Sequence, residues 1–323
     1  MTPTTDAAQR SASAEASART RTAYLAWLTV CVLWGTTYLG IRVALETIPP
    51  ALLGGLRFTV AGLLLIVVLA ARGEAMIART QWRGLALIGF LTVCVGNGGV
   101  IWAEQWVPSG IAAVTVATIP FWMIGMDALT RDGDPLSTRL VIGLLVGFAG
   151  ILLLVWPDIT TGTAEGHRFL LGILALQIAC VGWAIGSAIS RRHARSENVL
   201  SAAAMQMTFG GLFMLAAATL RGEWSHLAFS PRTLVAEIYL TLAGSIVGYS
   251  AYTYALRHLP TATVSLYAYA NPVIAMVLGA VIAGEPFGPR VVLASLMVLT
   301  GSALVQWREK RKAAAADGRH AAA

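Results

Sequence analysis

Arg57 stands well inside a long apolar run, seven residues beyond Pro50. At 1.5 Å per residue that is about 10 Å from the end of the run. A charge near the middle of a membrane helix costs at least ~2.5–3.5 kcal/mol, so such a side chain usually faces a protein interior or water. Its chemistry would be to hold a substrate carboxylate, or to pair with an acid as a gate. Glu46 and Glu104 are the nearest acids by topology. The plainer alternative is a snorkelling side chain whose head reaches the lipid headgroups.

Neutral polar and aromatic residues accompany it at helical spacing. Trp34 and Tyr38 are four apart and share a helix face, a spacing repeated by Trp183 and Ser187. Thr115, Thr118 and Trp122 form one stripe; Thr263, Tyr267 and Asn271 form another. Asn97, Gln206, Tyr249, Tyr252 and Tyr254 add further polar ends. Trp and Tyr also mark membrane interfaces, and a buried Thr more often bonds its own backbone. Asn and Tyr need partners in a dry environment, which makes them the stronger cavity candidates. The expected substrate-binding set is Trp34, Tyr38, Arg57, Asn97, Thr118, Trp122, Trp183, Ser187, Gln206, Tyr249, Tyr252, Tyr267 and Asn271.

These residue types bind and orient a small molecule; they do not suggest bond-making. There is no HExxH, paired Asp or Ser/His/Asp set, and His167, His193, His226, His258 and His320 fall outside the apolar runs. No Gly-rich phosphate loop supports ATP drive. Cys31, Cys94 and Cys180 all lie in apolar runs, which argues against a disulfide framework and suggests no metal site. No catalytic residue and no cofactor is expected. Glu104, Asp127 and Glu285 sit near run ends, whereas proton relays normally show intramembrane acids or His. Facilitated, gradient-driven flux is therefore expected, with Glu104 the acid to test for proton coupling.

The elements that must position these groups follow from composition. Charged residues make up 12% of the chain, against roughly 25% in soluble domains. Ten apolar runs of membrane-spanning length occur, at 23–41, 51–71, 82–102, 109–127, 137–156, 169–190, 199–220, 234–255, 262–282 and 288–307. In lipid each backbone group must be bonded within its own segment, so the runs become helices. The fold expected is an all-α membrane protein with ten transmembrane helices. With both termini cytoplasmic, 17 of the 23 Lys and Arg fall on the cytoplasmic side and 5 on the other, leaving Arg57 within a run. That asymmetry is the positive-inside pattern of an inner (plasma) membrane protein, so the net charge of +7 signals topology rather than nucleic acid. Residues 1–22 and the basic 308–323 lack an apolar core and are expected to be disordered tails.

The chain also repeats itself. VGNGGVIWAEQWVPSG (95–110) fits VGYSAYTYALRHLPTA (247–262) without a gap at an offset of 152. At offset 149, Cys31, Val32 and Trp34 fall on Cys180, Val181 and Trp183, and Arg72-Gly73-Glu74 falls on Arg221-Gly222-Glu223. Pro120 meets Pro272 at 152, and Pro135, Gly150 and Trp156 meet Pro286, Gly301 and Trp307 at 151. Runs 1–5 (23–156) and 6–10 (169–307), joined by 157–168, are read as two copies of one unit. Five is odd, so the copies must be inverted, a plan common to secondary transporters. Each proline frees a carbonyl four residues back, at Val116 and Ala268, making either a fixed kink or a hinge. Gly143-x-x-x-Gly147 permits close helix contact, within the bundle or between copies; the oligomeric state stays open.

At this point the chain resembles the drug/metabolite transporter superfamily, in its ten-helix EamA-like branch. The residues that carry the resemblance are LWGTTYLGIR, GLRFTVAGLLL, YALRHLPTATVSL and ANPVIAMVLGAVIAGEP, within a likeness covering about residues 23 to 307. Asp134-Pro135 departs from the family form that Glu285-Pro286 keeps. The resemblance implies a central cavity lined by helices 1–4 and 6–9, with 5 and 10 peripheral. It implies an exporter of amino acids or related metabolites, or a drug or other metabolite carrier. A membrane-embedded enzyme is the rival from another class. The partners expected are a small-molecule substrate and membrane lipid.

Overall fold

The computed structural model describes residues 3–74, 76–128, 138–193, 199–259, 261–264, 266–285 and 287–320. Asp134, Pro135, Pro260 and Pro286 lie outside the described residues. Helices and turns make up the described chain, and no strand occurs in it. In order they are α1 (Pro3–Ala44), α2 (Pro50–Ala71), α3 (Trp82–Gly89), π1 (Phe90–Asn97), α4 (Gly98–Ala103), α5 (Ser109–Val116), α6 (Ile119–Ala128), α7 (Thr138–Thr161) and α8 (Ala164–His193). The second half holds α9 (Val199–Leu220), α10 (Pro231–Tyr239), π2 (Leu240–Val247), α11 (Gly248–His258), α12 (Thr261–Val264), α13 (Tyr267–Ala283) and α14 (Pro289–His320). Here π1 and π2 are π-wound stretches within otherwise α-helical spans.

Among the described residues six helices are long and apolar enough to cross a membrane: Ala18–Ala44, Pro50–Ala71, Arg79–Ala103, Ala164–Ser190, Val199–Leu220 and Pro231–Ala255. Four shorter apolar helices, Ser109–Met123, Val141–Pro157, Tyr267–Ala283 and Pro289–Leu304, accompany them. Large apolar side chains turn outward, among them Val67, Leu145, Ile178, Val235 and Val281, each more than 60% exposed. In water such an exterior would aggregate; in hydrocarbon it is the solvated surface. The chain is a multi-pass helical membrane protein. The terminal segments differ from expectation, because α1 begins at Pro3 and α14 runs to His320. Both extensions are rich in Ala, the best helix former, and prolonging a formed helix needs no new nucleus.

Helix ends follow local chemistry. Pro49 and Pro50 start α2, and Ser230 and Thr233 close a reciprocal capping box on α10. α2, α9 and α13 end at Gly73, Gly222 and Gly284, with φ of 68°, 70° and 64°. That left-handed turn is open to glycine at no cost. The span containing Pro120 is interrupted, α5 stopping at Val116 and α6 starting at Ile119. Its loose carbonyls are occupied: Thr118 Oγ1 donates to Thr115 O at 2.7 Å, and Ser302 Oγ donates to Ala117 O at 2.5 Å. The carbonyl that Pro120 itself frees, Val116 O, faces Cys180 Sγ at 4.0 Å. Pro272, its repeat partner, sits inside the continuous α13.

Two close interfaces hold the bundle, α2 along α9 and α7 along α14. A Cβ on Gly62 would lie 2.3 Å from Thr208 Oγ1, and one on Gly211 would lie 2.4 Å from Thr59 Oγ1. A Cβ on Gly150 would meet Ala294 O at 2.8 Å, and one on Gly301 would meet Gly143 O at 2.5 Å. The Gly143-x-x-x-Gly147 stripe thus packs within the bundle, against α14.

Candidate functional site

One cluster gathers residues from α1, α2, π2, α11 and α13. The Trp34 ring centroid lies 5.6 Å from Tyr249, 5.2 Å from Tyr252 and 5.1 Å from Tyr267, while Tyr252 and Tyr267 are 5.7 Å apart. Most of these pairs meet edge to face, the arrangement ring quadrupoles favour. Trp34 Nε1 donates to Gly244 O at 3.1 Å. Asn271 is buried beside α1; with its amide nitrogen turned inward it donates to Tyr267 O at 3.0 Å and Cys31 O at 3.1 Å. Thr36 on α1 shares a short hydroxyl contact with Tyr239.

Arg57 adjoins this cluster. It is 5% exposed, donates from Nε to Ser245 Oγ at 3.0 Å, and holds its guanidinium 4.6 Å from the Phe58 ring centroid. The snorkelling alternative therefore fails: the side chain turns into the bundle. Its expected neighbour Glu46 instead pairs with Arg232 at the surface, 3.2 Å away. The carboxyls and phenols within electrostatic reach of Arg57 are Glu237, Tyr249, Glu104 and Tyr239. Glu104 is fully buried and Glu237 is 7% exposed, and neither carboxyl has a hydrogen-bond partner among the described residues. Arg42 Nη1 donates to the backbone carbonyl of Glu104, not to its carboxyl. Tyr38 lies within reach of Glu104 and Tyr267.

A second, smaller group lies across the bundle on α5, α6 and α8. Trp122 Nε1 donates to Gln177 Oε1 at 2.9 Å, and Thr118 Oγ1 lies 3.5 Å from the same oxygen. The remaining expected residues are not drawn into either group. Asn97 donates to Thr92 O within its own helix at 3.0 Å. Trp183 packs over Gly96, Gln206 presents its backbone to Gly89, and Ser187 is half-buried.

Sequence reasoning missed Ser245, Gln177 and Glu237. Gln177 carried a signal as an amide in an otherwise apolar run. Glu237 lies only three residues into the run beginning at 234, a position where spacing gives no sign of burial. Its burial comes from packing of α10 on α1, which spacing alone does not reveal. Arg57 is thus not alone as a buried ionisable side chain within a span.

A buried guanidinium beside aromatic rings can bind a small carboxylate-bearing molecule, the ligand's charge balancing its own. No cluster of His, Cys, Asp or Glu suited to a metal occurs among the described residues.

Comparison with known proteins identifies the family. The EamA-like transporter family model matches twice, at residues 21–156 and 170–307. The chain belongs to the EamA-like transporter family. It is 36% identical to a protein of Escherichia coli K12 named as the uncharacterized inner membrane transporter YedA, over 79% of this chain and 80% of that one. The uncharacterized transporter YvbV of Bacillus subtilis is 24% identical, over 93% and 96%. A crystal structure 21% identical superposes with a TM-score of 0.61, covering 90% of this EamA-like chain and 98% of the other, which speaks to the fold alone.

Proposed function

We propose that this chain is a ten-span carrier of the inner membrane that exports amino acids or related small metabolites by alternating access. Its two inverted units are residues 23–156 and 169–307, joined by 157–168. Six long and four shorter apolar helices support the span count. The reciprocal contacts support the inversion: Gly62 with Thr208 and Thr59 with Gly211 exchange places under an offset of 149, as a two-fold axis requires. Gly150 with Ala294 and Gly143 with Gly301 do the same at 151, and π1 and π2 correspond at 150. The charge asymmetry supports cytoplasmic termini, and the relatives' names support the inner membrane.

The observation that carries the substrate reading is Arg57, buried beside the Trp34–Tyr249–Tyr252–Tyr267 cluster. Arg57 would hold a carboxylate, the rings an apolar side chain, and Asn271 and Tyr38 would order the polar edge. Thr118, Trp122 and Gln177 would line the opposite wall, with Asn97, Trp183, Ser187 and Gln206 at its margins. Counterflow in proteoliposomes preloaded with unlabelled amino acids tests this directly. Saturable accumulation of labelled amino acids is expected. Accumulation only of apolar drugs that lack a carboxylate would replace the substrate class while keeping the carrier. Flux is expected to follow the substrate gradient. Drive by a pH gradient that disappears in Glu104→Gln or Glu237→Gln would make the carrier proton-coupled instead.

A further inference from the structure

Two glutamates reach out of the second half and cap helices of the first. Glu223 Oε2 accepts from Ala51 N at 2.9 Å and Leu52 N at 3.1 Å, at the start of α2, while Oε1 pairs with Arg221 at 3.4 Å. Glu285 Oε1 accepts from Ser109 N at 2.8 Å, and its Oε2 accepts from Ser109 Oγ at 3.0 Å and Gly110 N at 3.1 Å, at the start of α5. Each carboxylate satisfies amides that a helix start leaves bare, and its charge meets the positive end of the helix dipole. Both reach there by the same device. A left-handed glycine, Gly222 or Gly284, ends a helix and turns the next residue back toward the bundle. Gly279 makes room, since a Cβ there would lie 2.3 Å from Glu285 Oε2.

Ordinary capping residues belong to the helix they cap. These two stand 171 to 176 residues from the amides they hold. Both hold the same end of the bundle, where α1, α4, α9 and α13 finish and α2, α5, α10 and α14 begin. The pattern also recurs: Gly73, with φ 68°, precedes Glu74 at the close of α2, at an offset of 149 from Gly222-Glu223. That places Glu74 at the opposite end of the membrane.

We infer that Glu223 and Glu285 are positioning residues of a gate, latches that hold the Pro50 end of the carrier closed and release when it opens. Alternating access, on which this rests, requires that contacts made at one end in one state be broken in the other. A charge-assisted cap between the halves is a contact of that kind, because its donors can be taken over by water when the end opens. Weakening the latch shifts the resting population toward the state open at that end.

The test uses the full-length chain in liposomes, with Cys31, Cys94 and Cys180 replaced by Ser and Thr37→Cys as reporter. Thr37 is 8% exposed and faces Gly244 beside Arg57. A membrane-impermeant maleimide is applied from one face at a time. Glu223→Gln and Glu285→Gln should each raise reaction from the Pro50 end about tenfold, and together by more, because the amide keeps an acceptor but loses the charge that strengthens the cap. Reaction from the opposite face should fall in step. Glu74→Gln should move the two rates the other way, a reversal that loss of stability would not produce. Folded single variants with both rates unchanged would overturn the latch. If the variants raise or lower the rates from both faces together instead of in opposition, the site is open to both ends at once and alternating access itself fails, which is a distinguishable result.

Discussion

The π-wound segments of the two halves are the same device in different surroundings. In π1 the Asn97 side chain donates to Thr92 O, five residues back, and in π2 Ser245 Oγ donates to Leu240 O, also five back, at 3.1 Å. Each side chain meets a carbonyl that the wider winding exposes. The neighbours then diverge. π1 lies against α8, with Trp183 over Gly96; π2 lies against α2, where Ser245 also receives Arg57 Nε. π-wound turns often mark functional positions. Here the backbone is symmetric and the chemistry is not, which suits a carrier that needs two alternating ends but one place for a carboxylate.

The largest effect should come from the charge that breaks the symmetry. At an offset of 149, Arg57 corresponds to Gln206. Arg57→Ala removes the buried guanidinium that would meet a substrate carboxylate. Truncating one member of a buried charged group costs about 2–5 kcal/mol, so counterflow should fall at least about 30-fold. Gln206→Ala should change it by less than about threefold, since a partly exposed amide contributes little. Equal losses in both variants, with folding retained, would mean that Gln206 shares the site.

The interfaces should answer as a symmetric pair. Gly62→Ala would press on Thr208 N at 2.6 Å and Gly211→Ala on Thr59 N at 2.4 Å, backbone atoms that cannot turn aside. Overpacking of this kind costs about 1–3 kcal/mol, and thermal unfolding in detergent should show similar losses. A large cost at one glycine and none at the other would break the two-fold relation between α2 and α9.

Much of this was legible without coordinates. Apolar run length marked the helices, and ordered Trp, Pro and Arg-Gly-Glu matches marked the duplication, because both depend on local sequence alone. The cost of its charge singled out Arg57 but left it either facing the interior or snorkelling, a choice made only by packing. What was not legible came from tertiary contact. The expected single binding set separates into a group around Trp34 and another around Trp122. Glu237 gains its importance only once α10 packs on α1. The capping roles of Glu223 and Glu285 depend on helix starts more than 170 positions away, which no local pattern reveals.

The smallest effect sharpens the comparison between the π segments themselves. Ser245→Ala removes a hydroxyl that accepts from Arg57 and donates to Leu240 O. The guanidinium then loses a positioning contact, so the apparent KM for a carboxylate substrate should rise about five- to tenfold. Asn97→Ala removes only an in-helix bond, worth about 0.5–1.5 kcal/mol, and should lower thermal stability while leaving KM within about twofold. If Asn97→Ala raised KM as Ser245→Ala does, π1 would line the substrate path as directly as π2. A KM unmoved in Ser245→Ala would make the winding of π2 a packing feature and leave Arg57 oriented by the aromatic wall alone.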